Sequence, residues 1–189
     1  MITYTHFVRR PLTAATIFLL WMATALPVSA GRNAGVSSEA GSFGSIFDKY
    51  RKCRNVELVT LSPEIVRMLA EKDSNPILQD IDTLSVLNVK RYDEFMTSYY
   101  IDNGLPVASP GEVESAFLGC AVSNGLSLLV SVKNEDTDIT VYMKRNPGDL
   151  SGYILCCCRN SGYMSFIVIS GTISDRLTDA VMKGEISVE

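Results

Sequence analysis

Three adjacent cysteines, Cys156, Cys157 and Cys158, are the side chains of this sequence best suited to chemistry. A cysteine thiolate can bind a soft metal ion, attack an electrophile or exchange a disulfide. The triplet lies in "LSGYILCCCR", which predicts a β-strand, and successive side chains of a strand point to opposite faces. Cys156 and Cys158 therefore share one face with Ile154, and Cys157 shares the other with Leu155. Three sulfurs arranged in this way cannot converge on one metal ion.

Both faces of this predicted strand are apolar, which favours a central strand covered on each side, with the three cysteines as packed core residues. One structural disulfide is the first alternative, because an exported protein meets an oxidising compartment. Metal or redox chemistry at the triplet is the second. Even two bridges leave one thiol unpaired, and the sequence does not give the connectivity among the five cysteines: Cys53, Cys120, Cys156, Cys157 and Cys158.

Two groups of carboxylates are further candidates. The segment "NEDTD", with Glu135, Asp136 and Asp138, could suggest calcium, but the D-x-D-x-D-G pattern of a calcium loop is missing. A solvated hairpin turn is the simpler interpretation. Asp80 and Asp82 could form a catalytic carboxylate pair, yet a polar entry into a strand explains them equally well, since no aromatic-lined cleft can be inferred around them.

Aromatic residues cluster in "RYDEFMTSYYI", where Tyr92, Phe95, Tyr99 and Tyr100 could stack on a ligand. Their helical spacing favours packing in the core for most of them. The glycine-containing segment "GSFGS" at 41–45 follows no strand and does not predict a phosphate-binding loop. We therefore assign no catalytic, cofactor-binding or metal-ligating residue, and expect no cofactor.

The N-terminus has the three parts of a secretory signal peptide. Arg9 and Arg10 precede an apolar run over Leu12–Val28, and "VSA" at 28–30 is a cleavage motif before Gly31. A membrane anchor would need about 20 apolar residues, and this run is shorter and contains a proline. We predict removal of residues 1–30 and a periplasmic or secreted protein. No cysteine follows a lipobox-like triplet, which argues against a lipid anchor.

Removal of the signal peptide changes which functions the composition permits. The single histidine, His6, lies in that segment, so the mature chain cannot use Ser-His-Asp or Cys-His catalysis or a His-containing zinc site. The segment also contains two arginines and no acid, so its loss takes the formal charge from −4 to −6. This acidity argues against nucleic acid as a partner. About 159 residues remain, enough for one domain.

The elements that would position these residues begin after a flexible leader at 31–41. We predict four inward-facing helices before the last third of the chain. The predicted inward face of the first helix comprises Phe43, Ile46, Phe47 and Tyr50, and that of the second comprises Ile65, Met68 and Leu69. The predicted inward face of the third helix comprises Tyr92, Phe95, Met96 and Tyr99, and that of the fourth comprises Val113, Ala116, Phe117 and Cys120. Ser62 and Ser109 are predicted N-caps, the latter in an S-x-x-E capping box with Pro110 at the first helical position.

Strands are predicted at "VELVTL" and "IDTLSVLNV", and four more follow with short turns. The first of the four places Leu126, Leu128, Val130 and Val132 on a half-buried face. The second, "ITVYMK", points Tyr142 outward. "SDRLTDAVMKGE" ends the chain as a helix capped by Ser174, with Leu177 and Val181 inward and Gly184 at its end. The pattern predicts a single α+β two-layer domain over 42–189, mostly antiparallel, with a C-terminal four-strand meander.

This order of segments resembles that of small exported Bacteroidetes proteins of domain-of-unknown-function family 4252. The resemblance covers about residues 46 to 182 and is carried by "FDKYRKCRNVELVTLSPEIVRML", "IDTLSVLNV", "DITVYMKR" and "YMSFIVISGTISDRLTDAV". Its most specific part is the terminal "SG.I....L" motif, which comprises Ser170, Gly171, Ile173 and Leu177. The family implies no established activity and no functional residues. Many members of the family resemble lipoproteins. Members are often encoded near alternative sigma factors, which implies a link with envelope signalling.

Two functional hypotheses follow. The first is a non-enzymatic cell-envelope protein whose exposed sheet face or edge binds another envelope protein, and it rests on the missing histidine, metal spacing and phosphate loop. The second is a cysteine-dependent redox protein or a small-ligand-binding protein, in which the cysteine triplet or the tyrosine cluster lines a pocket. The reactivity of the native thiols separates the two.

Overall fold

The structure is a computed structural model that describes residues 42–73, 75–133, 135 and 137–183. The predicted signal peptide, the leader and Gly184 lie outside the described residues. The chain falls into two compact units: one ends at Ile173, and Ser174 onward belongs to the other. The single domain expected over 42–189 remains a prediction.

Five α-helices and six strands occur in the described residues, and the order along the chain mixes the two types. Up to the middle of the chain the elements are α1 (Phe43–Tyr50), β1 (Val56–Leu61), α2 (Pro63–Asp73), a 3-10 turn (Leu78–Asp80), β2 (Ile81–Lys90), α3 (Glu94–Asp102) and α4 (Pro110–Ser123). The remainder comprises β3 (Ser127–Lys133), β4 (Thr137–Arg145), β5 (Ser151–Asn160), β6 (Tyr163–Thr172) and α5 (Asp175–Lys183).

The strands form one antiparallel sheet in the order β1-β2-β6-β5-β4-β3. Strands β3 to β6 are consecutive neighbours and form the predicted meander. The last strand, β6, pairs with β2 and so joins the meander to β1 and β2 in one sheet. The predicted α+β fold with a C-terminal meander is therefore confirmed.

The largest group of buried apolar residues lies on the face of the sheet beneath α1 and α4, and on the opposite face Ile154 of β5 and Ile169 of β6 are also fully buried. Cross-strand pairing places Leu87, Phe166 and Cys157 side by side on β2, β6 and β5. Phe117 of α4 stacks on Phe166, with ring centroids 4.4 Å apart and an interplanar angle of 5°. The two helices contribute the buried residues Phe43, Ile46, Phe47 and Tyr50, and Val113, Phe117, Cys120 and Ala121. The inward face predicted for α1 is confirmed, and Ala116 in α4 is only partly buried.

The inward face predicted for α2 is wrong. Val66 and Ala70, one helical turn apart, are the buried pair, whereas Ile65 is 37% exposed and Met68 is 68% exposed. The sequence "IVRMLA" offers two adjacent apolar stripes on the helix surface. Contact with β1 and β2 selects between them, so the choice depends on strands outside the helix.

The ends of α4 agree with the sequence, but its predicted capping box is wrong. Pro110 is the first helical residue and Asn124 follows the last, with Gly125 in the left-handed region at φ 72°. The side chain of Ser109 makes no capping hydrogen bond. In α5 the predicted cap is confirmed, because the Leu177 N–H donates to Ser174 Oγ at 3.0 Å. Leu177 and Val181 are buried, as predicted.

Strand β3 lies at the edge of the sheet, and its predicted half-buried face is wrong. The register against β4 shifts between Leu128 and Val130, so these two residues pair with Tyr142 and Val141, which lie on opposite faces. Leu128 is 58% exposed and Val132 is 45% exposed. Tyr142, predicted to point outward, packs instead against the helix-covered core. A β-bulge changes the alternation of faces, which a period-2 pattern cannot anticipate.

The glycine of the terminal "SG" motif has a structural role. Gly171 has φ 148°, and a Cβ built there would lie 2.2 Å from the carbonyl oxygen of Asp80. Gly171 pairs with Ile81 on one side and with Gly152 on the other. Gly171 therefore permits the close approach of β6 to the start of β2.

Candidate functional site

The cysteine triplet lies in the middle of β5, paired on both sides. Cys157 shares the helix-covered face with Leu155 and has Thr140 and Phe166 as its cross-strand neighbours. Cys156 lies on the other face between Val141 and Ile167. Cys157 and Cys158 are buried and Cys156 is half-buried. The predicted split of the triplet between two faces is confirmed.

No cysteine of the triplet has another cysteine opposite it, and all five cysteines of the chain are free thiols. Among the described residues, no three His, Cys, Asp or Glu side chains are grouped to hold a metal ion. Cys53 and Cys120 pack against the same core as Cys157, at the ends of α1 and α4. The structure thus places the cysteines as packing residues.

Burial makes these thiols hard to ionise. It raises the pKa of the Cys156 and Cys157 thiols to about 12, and neighbouring sulfurs add to the effect. Burial also raises the pKa of Cys158, Cys53 and Cys120. Because the thiolate is the reactive form, this environment is the opposite of the one that activates a catalytic cysteine.

The carboxylate candidates occupy separate parts of the fold. Asp80 ends the 3-10 turn and Asp82 is exposed at the start of β2, on either side of Ile81. Glu135 is exposed between β3 and β4, and Asp138 lies in β4 opposite Arg159. Asp136 falls outside the described residues. None of these positions joins the cysteine triplet in a shared group of metal ligands within the part of the chain that the structure describes.

The aromatic cluster is where the structure departs most from the sequence prediction. No residue of α3 is buried: Phe95 is 77% exposed, Tyr99 is 53% exposed and Ile101 is 60% exposed. The prediction that most of this aromatic cluster packs in the core is wrong. The side chain of Asp93 caps the helix by accepting from the Met96 N–H at 2.8 Å. We call the outward pair Phe95 and Tyr99, one helical turn apart, the aromatic face of α3.

The rings behind this face pack on each other and hold the helix in place. Tyr92 stacks on Tyr100 with centroids 5.4 Å apart, and Tyr99 of the aromatic face meets Tyr100 edge-on at 5.5 Å. The Tyr92 hydroxyl donates to the carbonyl oxygen of Arg54 at 3.3 Å. The helix is therefore attached to the domain by a small tyrosine cluster and not by a buried apolar stripe.

A cavity of about 650 Å³ lies between α3, the loop that precedes α4 and the start of β6; we call it the α3 groove. Thr97 and Ile101, one turn apart, line it from α3, and Met164 lines it from β6. Its charged lining residues are Arg91, Arg159 and Glu112. Arg91 has no ion-pair partner among the described residues, whereas Arg159 pairs with Glu114, which is outside the lining.

Asn55 fixes the inner wall of the groove, and the sequence analysis missed it. Its side chain is 2% exposed and all its hydrogen bonds go to backbone groups. Nδ2 donates to the carbonyls of Lys90 at 3.0 Å and Ala108 at 2.8 Å, and Oδ1 accepts from the Ala108 N–H at 2.8 Å. These bonds join the end of β2 to the loop before α4. A lone asparagine before a strand carries no sequence signal for this role.

The comparisons with known proteins give no family. No protein-family model matches the chain, and no curated protein matches it. Within the described residues, the helices are all too short or too polar to cross a membrane. The arrangement of side chains is therefore the basis for a functional proposal. Its solvent-facing features include the aromatic face of α3, the α3 groove and a smaller cavity of about 180 Å³ lined by Cys157 and Cys158.

Proposed function

We propose that this protein is an exported, non-enzymatic interaction domain of the cell envelope that binds another envelope protein through the aromatic face of α3. The signal-peptide pattern at residues 1–30 supports export. The resemblance to family 4252 adds a link with envelope signalling. The first hypothesis from the sequence placed binding on a sheet face or edge. We place it on α3 because the exposed pair there is aromatic, whereas Leu128 and Val132 of the edge strand β3 are aliphatic.

The observation that carries the proposal is the exposure of Phe95 and Tyr99 on a helix with no buried residue. Large aromatic side chains left in water are costly, and they are enriched at the centres of protein interfaces. A helix with no fully buried residue contributes little to the core of its own domain. Its aromatic face is better explained by a partner that covers it.

Two features argue against enzymatic function. The chain after residue 30 lacks histidine, the side chain best suited to proton transfer near neutral pH. The thiol pKa values are raised, which disfavours the cysteine-dependent alternative. One observation favours a small ligand as second candidate, namely the size of the α3 groove. That candidate needs the groove and leaves the outward aromatic pair without a role.

Site-specific photocrosslinking in intact cells tests the proposal. A photoreactive phenylalanine analogue is placed at Phe95, at Tyr99 or at Met68, and the crosslinked products are identified by mass spectrometry. Met68 is the matched control, because it is a large apolar side chain that is 68% exposed on α2. We expect one envelope protein to be captured from positions 95 and 99 and not from position 68.

Competition makes the test quantitative. Excess unlabelled protein should suppress the crosslink, and the Phe95→Ala/Tyr99→Ala double variant should fail to suppress it while Met68→Ala succeeds. Circular dichroism establishes that the competitors are folded. The proposal is wrong if positions 68 and 95 give the same products, or if the double variant competes as well as the unchanged protein.

A further inference from the structure

We infer that the α3 groove binds a short segment of the partner protein that carries a large aliphatic side chain beside carboxylate groups. This inference rests on the proposed function and adds the chemistry of the bound segment. It concerns residues distinct from the aromatic face, so the two proposals can fail separately.

The walls of the groove define the apolar part of this segment. Ile101, Val107 and Pro110 line it together with Met164, and the aromatic ring of Tyr92 closes one side. A volume of about 650 Å³ holds several side chains, so one aliphatic anchor and its flanking backbone fit within it. The anchor removes Ile101, which is 60% exposed, from water.

The charges at the groove define the polar part. Arg91 and Arg159 line the cavity, and Glu112 is its single acidic lining residue; Arg159 is already paired with Glu114, so Arg91 is the cation of the groove that can pair with a ligand. Arg91 is exposed and has no ion-pair partner among the described residues. An arginine fork in this position pairs well with a carboxylate. Complementary charge therefore favours an acidic segment over a neutral or basic one.

The groove is also held in a fixed shape before any partner binds. The three hydrogen bonds of Asn55 fix Ala108 and the end of β2, and the Arg54 N–H donates to Pro106 at 2.8 Å in the same loop. Tyr92 is held by its own hydrogen bond to the Arg54 carbonyl. A preformed wall lowers the ordering cost of binding a short segment.

Fluorescence polarisation with three labelled peptides tests the inference on the folded protein without its signal peptide. The probes are Gly-Ser-Glu-Leu-Glu-Ser-Gly, the same peptide with both Glu replaced by Gln, and the same with both replaced by Lys. We expect the acidic peptide to bind with a Kd on the order of 100 µM, about 10-fold tighter than the neutral one. Its affinity should fall as salt increases.

Two substitutions assign the binding to the groove. Arg91→Glu should reverse the preference, so that the lysine peptide binds more tightly than the acidic one, while Lys144→Glu makes the same charge change outside the groove and should leave the order unchanged. Ile101→Ser should abolish binding of the acidic peptide. Phe95→Ser lies outside the groove lining and should preserve it, even where it abolishes the crosslinks of the proposed function.

Three outcomes would overturn the inference. The first is equal binding of the acidic, neutral and basic peptides, or no binding of any at millimolar concentration. The second is an unchanged preference in Arg91→Glu. The third is a dimer in analytical ultracentrifugation that Arg91→Glu and Ile101→Ser both dissociate, because the occupant would then be a second copy of this chain.

Discussion

Helix α1 and the segment from Tyr92 into α3 carry large side chains at the same intervals of three, four and seven residues. In α1 all of them are buried: Phe43, Ile46, Phe47 and Tyr50. At α3 none of them is buried: Tyr92, Phe95, Met96 and Tyr99. The two helices have similar lengths and similar N-terminal caps, from Ser42 and Asp93. Their different burial teaches that periodicity reports an apolar stripe, and that the surrounding fold decides what covers it.

The surroundings of the two helices explain the difference. Phe43 and Phe47 of α1 meet Phe117 of α4 at centroid distances of 6.2 and 5.5 Å, above the centre of the sheet. Among the residues that the structure describes, no ring contact involves Phe95, and the tyrosines at α3 contact mainly each other. A stripe placed over a sheet becomes core, and the same stripe placed beside a loop becomes surface.

Matched charge insertions at the two helices give the largest expected contrast. Phe47→Asp buries an unpaired carboxylate and should prevent stable folding, at a cost of several kcal/mol. Phe95→Asp should change the free energy of unfolding by about 0.5 kcal/mol or less, because the side chain remains in water. Urea denaturation of both variants measures the contrast. Equal destabilisation would mean that α3 is part of the core.

Alkaline titration should measure how strongly the core environment disfavours ionisation of the Cys156 and Cys157 thiols. The pKa of Cys156 and Cys157 is about 12 in the native fold, against an ordinary value of 9.0. Above pH 9 the unfolded chain loses protons that the native fold retains. The protonated thiols therefore make their full contribution to the free energy of unfolding below pH 9. This contribution is lost as pH rises toward 12, by up to about 1.4 kcal/mol per pH unit for each thiol.

Stability against urea between pH 8 and 11 measures this slope, and the Cys156→Ala/Cys157→Ala variant is the control for tyrosine and lysine titration. The variant should lose stability less steeply than the unchanged protein over the same range. Parallel slopes would contradict the raised pKa of the two thiols.

Asn55 connects the buried and exposed regions, so its removal should affect both. Asn55→Ala leaves the Ala108 N–H and two carbonyls without their partner, and we expect a loss of about 2 kcal/mol in unfolding free energy. Amide hydrogen exchange should increase at Ala108 and its loop neighbours while β5 stays protected. Asn103→Ala is the comparison, since Asn103 is exposed and its side chain donates to the nearby carbonyl of Tyr99 at the end of α3. If both asparagines cost the same, the loop is not held by Asn55.

Truncations give the smallest contrast. Cys157→Ala and Cys158→Ala each remove a buried sulfur and should cost on the order of 1 kcal/mol, whereas Phe95→Ala should cost less than about 0.5 kcal/mol despite its larger side chain. Thermal unfolding resolves differences of this size. A larger loss from Phe95→Ala than from Cys157→Ala would reverse the assignment of core and surface.

The sequence by itself determined the local features of this protein. The bounds of β1, the start of β2, the cap and inward face of α5 and the alternation of the cysteine triplet all follow from residue type and short spacing. These features depend on backbone geometry within a few residues, which the neighbouring side chains specify directly. The α+β class follows from the order of these local helix and strand patterns along the chain.

Only the tertiary structure decided which apolar stripe becomes core. It selected Val66 over Ile65 in α2, reversed the faces of β3 through a bulge and left Phe95 in solvent. It also brought Asn55 to Ala108, which is distant in sequence, to form the wall of the α3 groove. Each of these outcomes depends on a contact between remote segments, and a period of two or of 3.6 residues records only that a side chain can be covered, not which segment covers it.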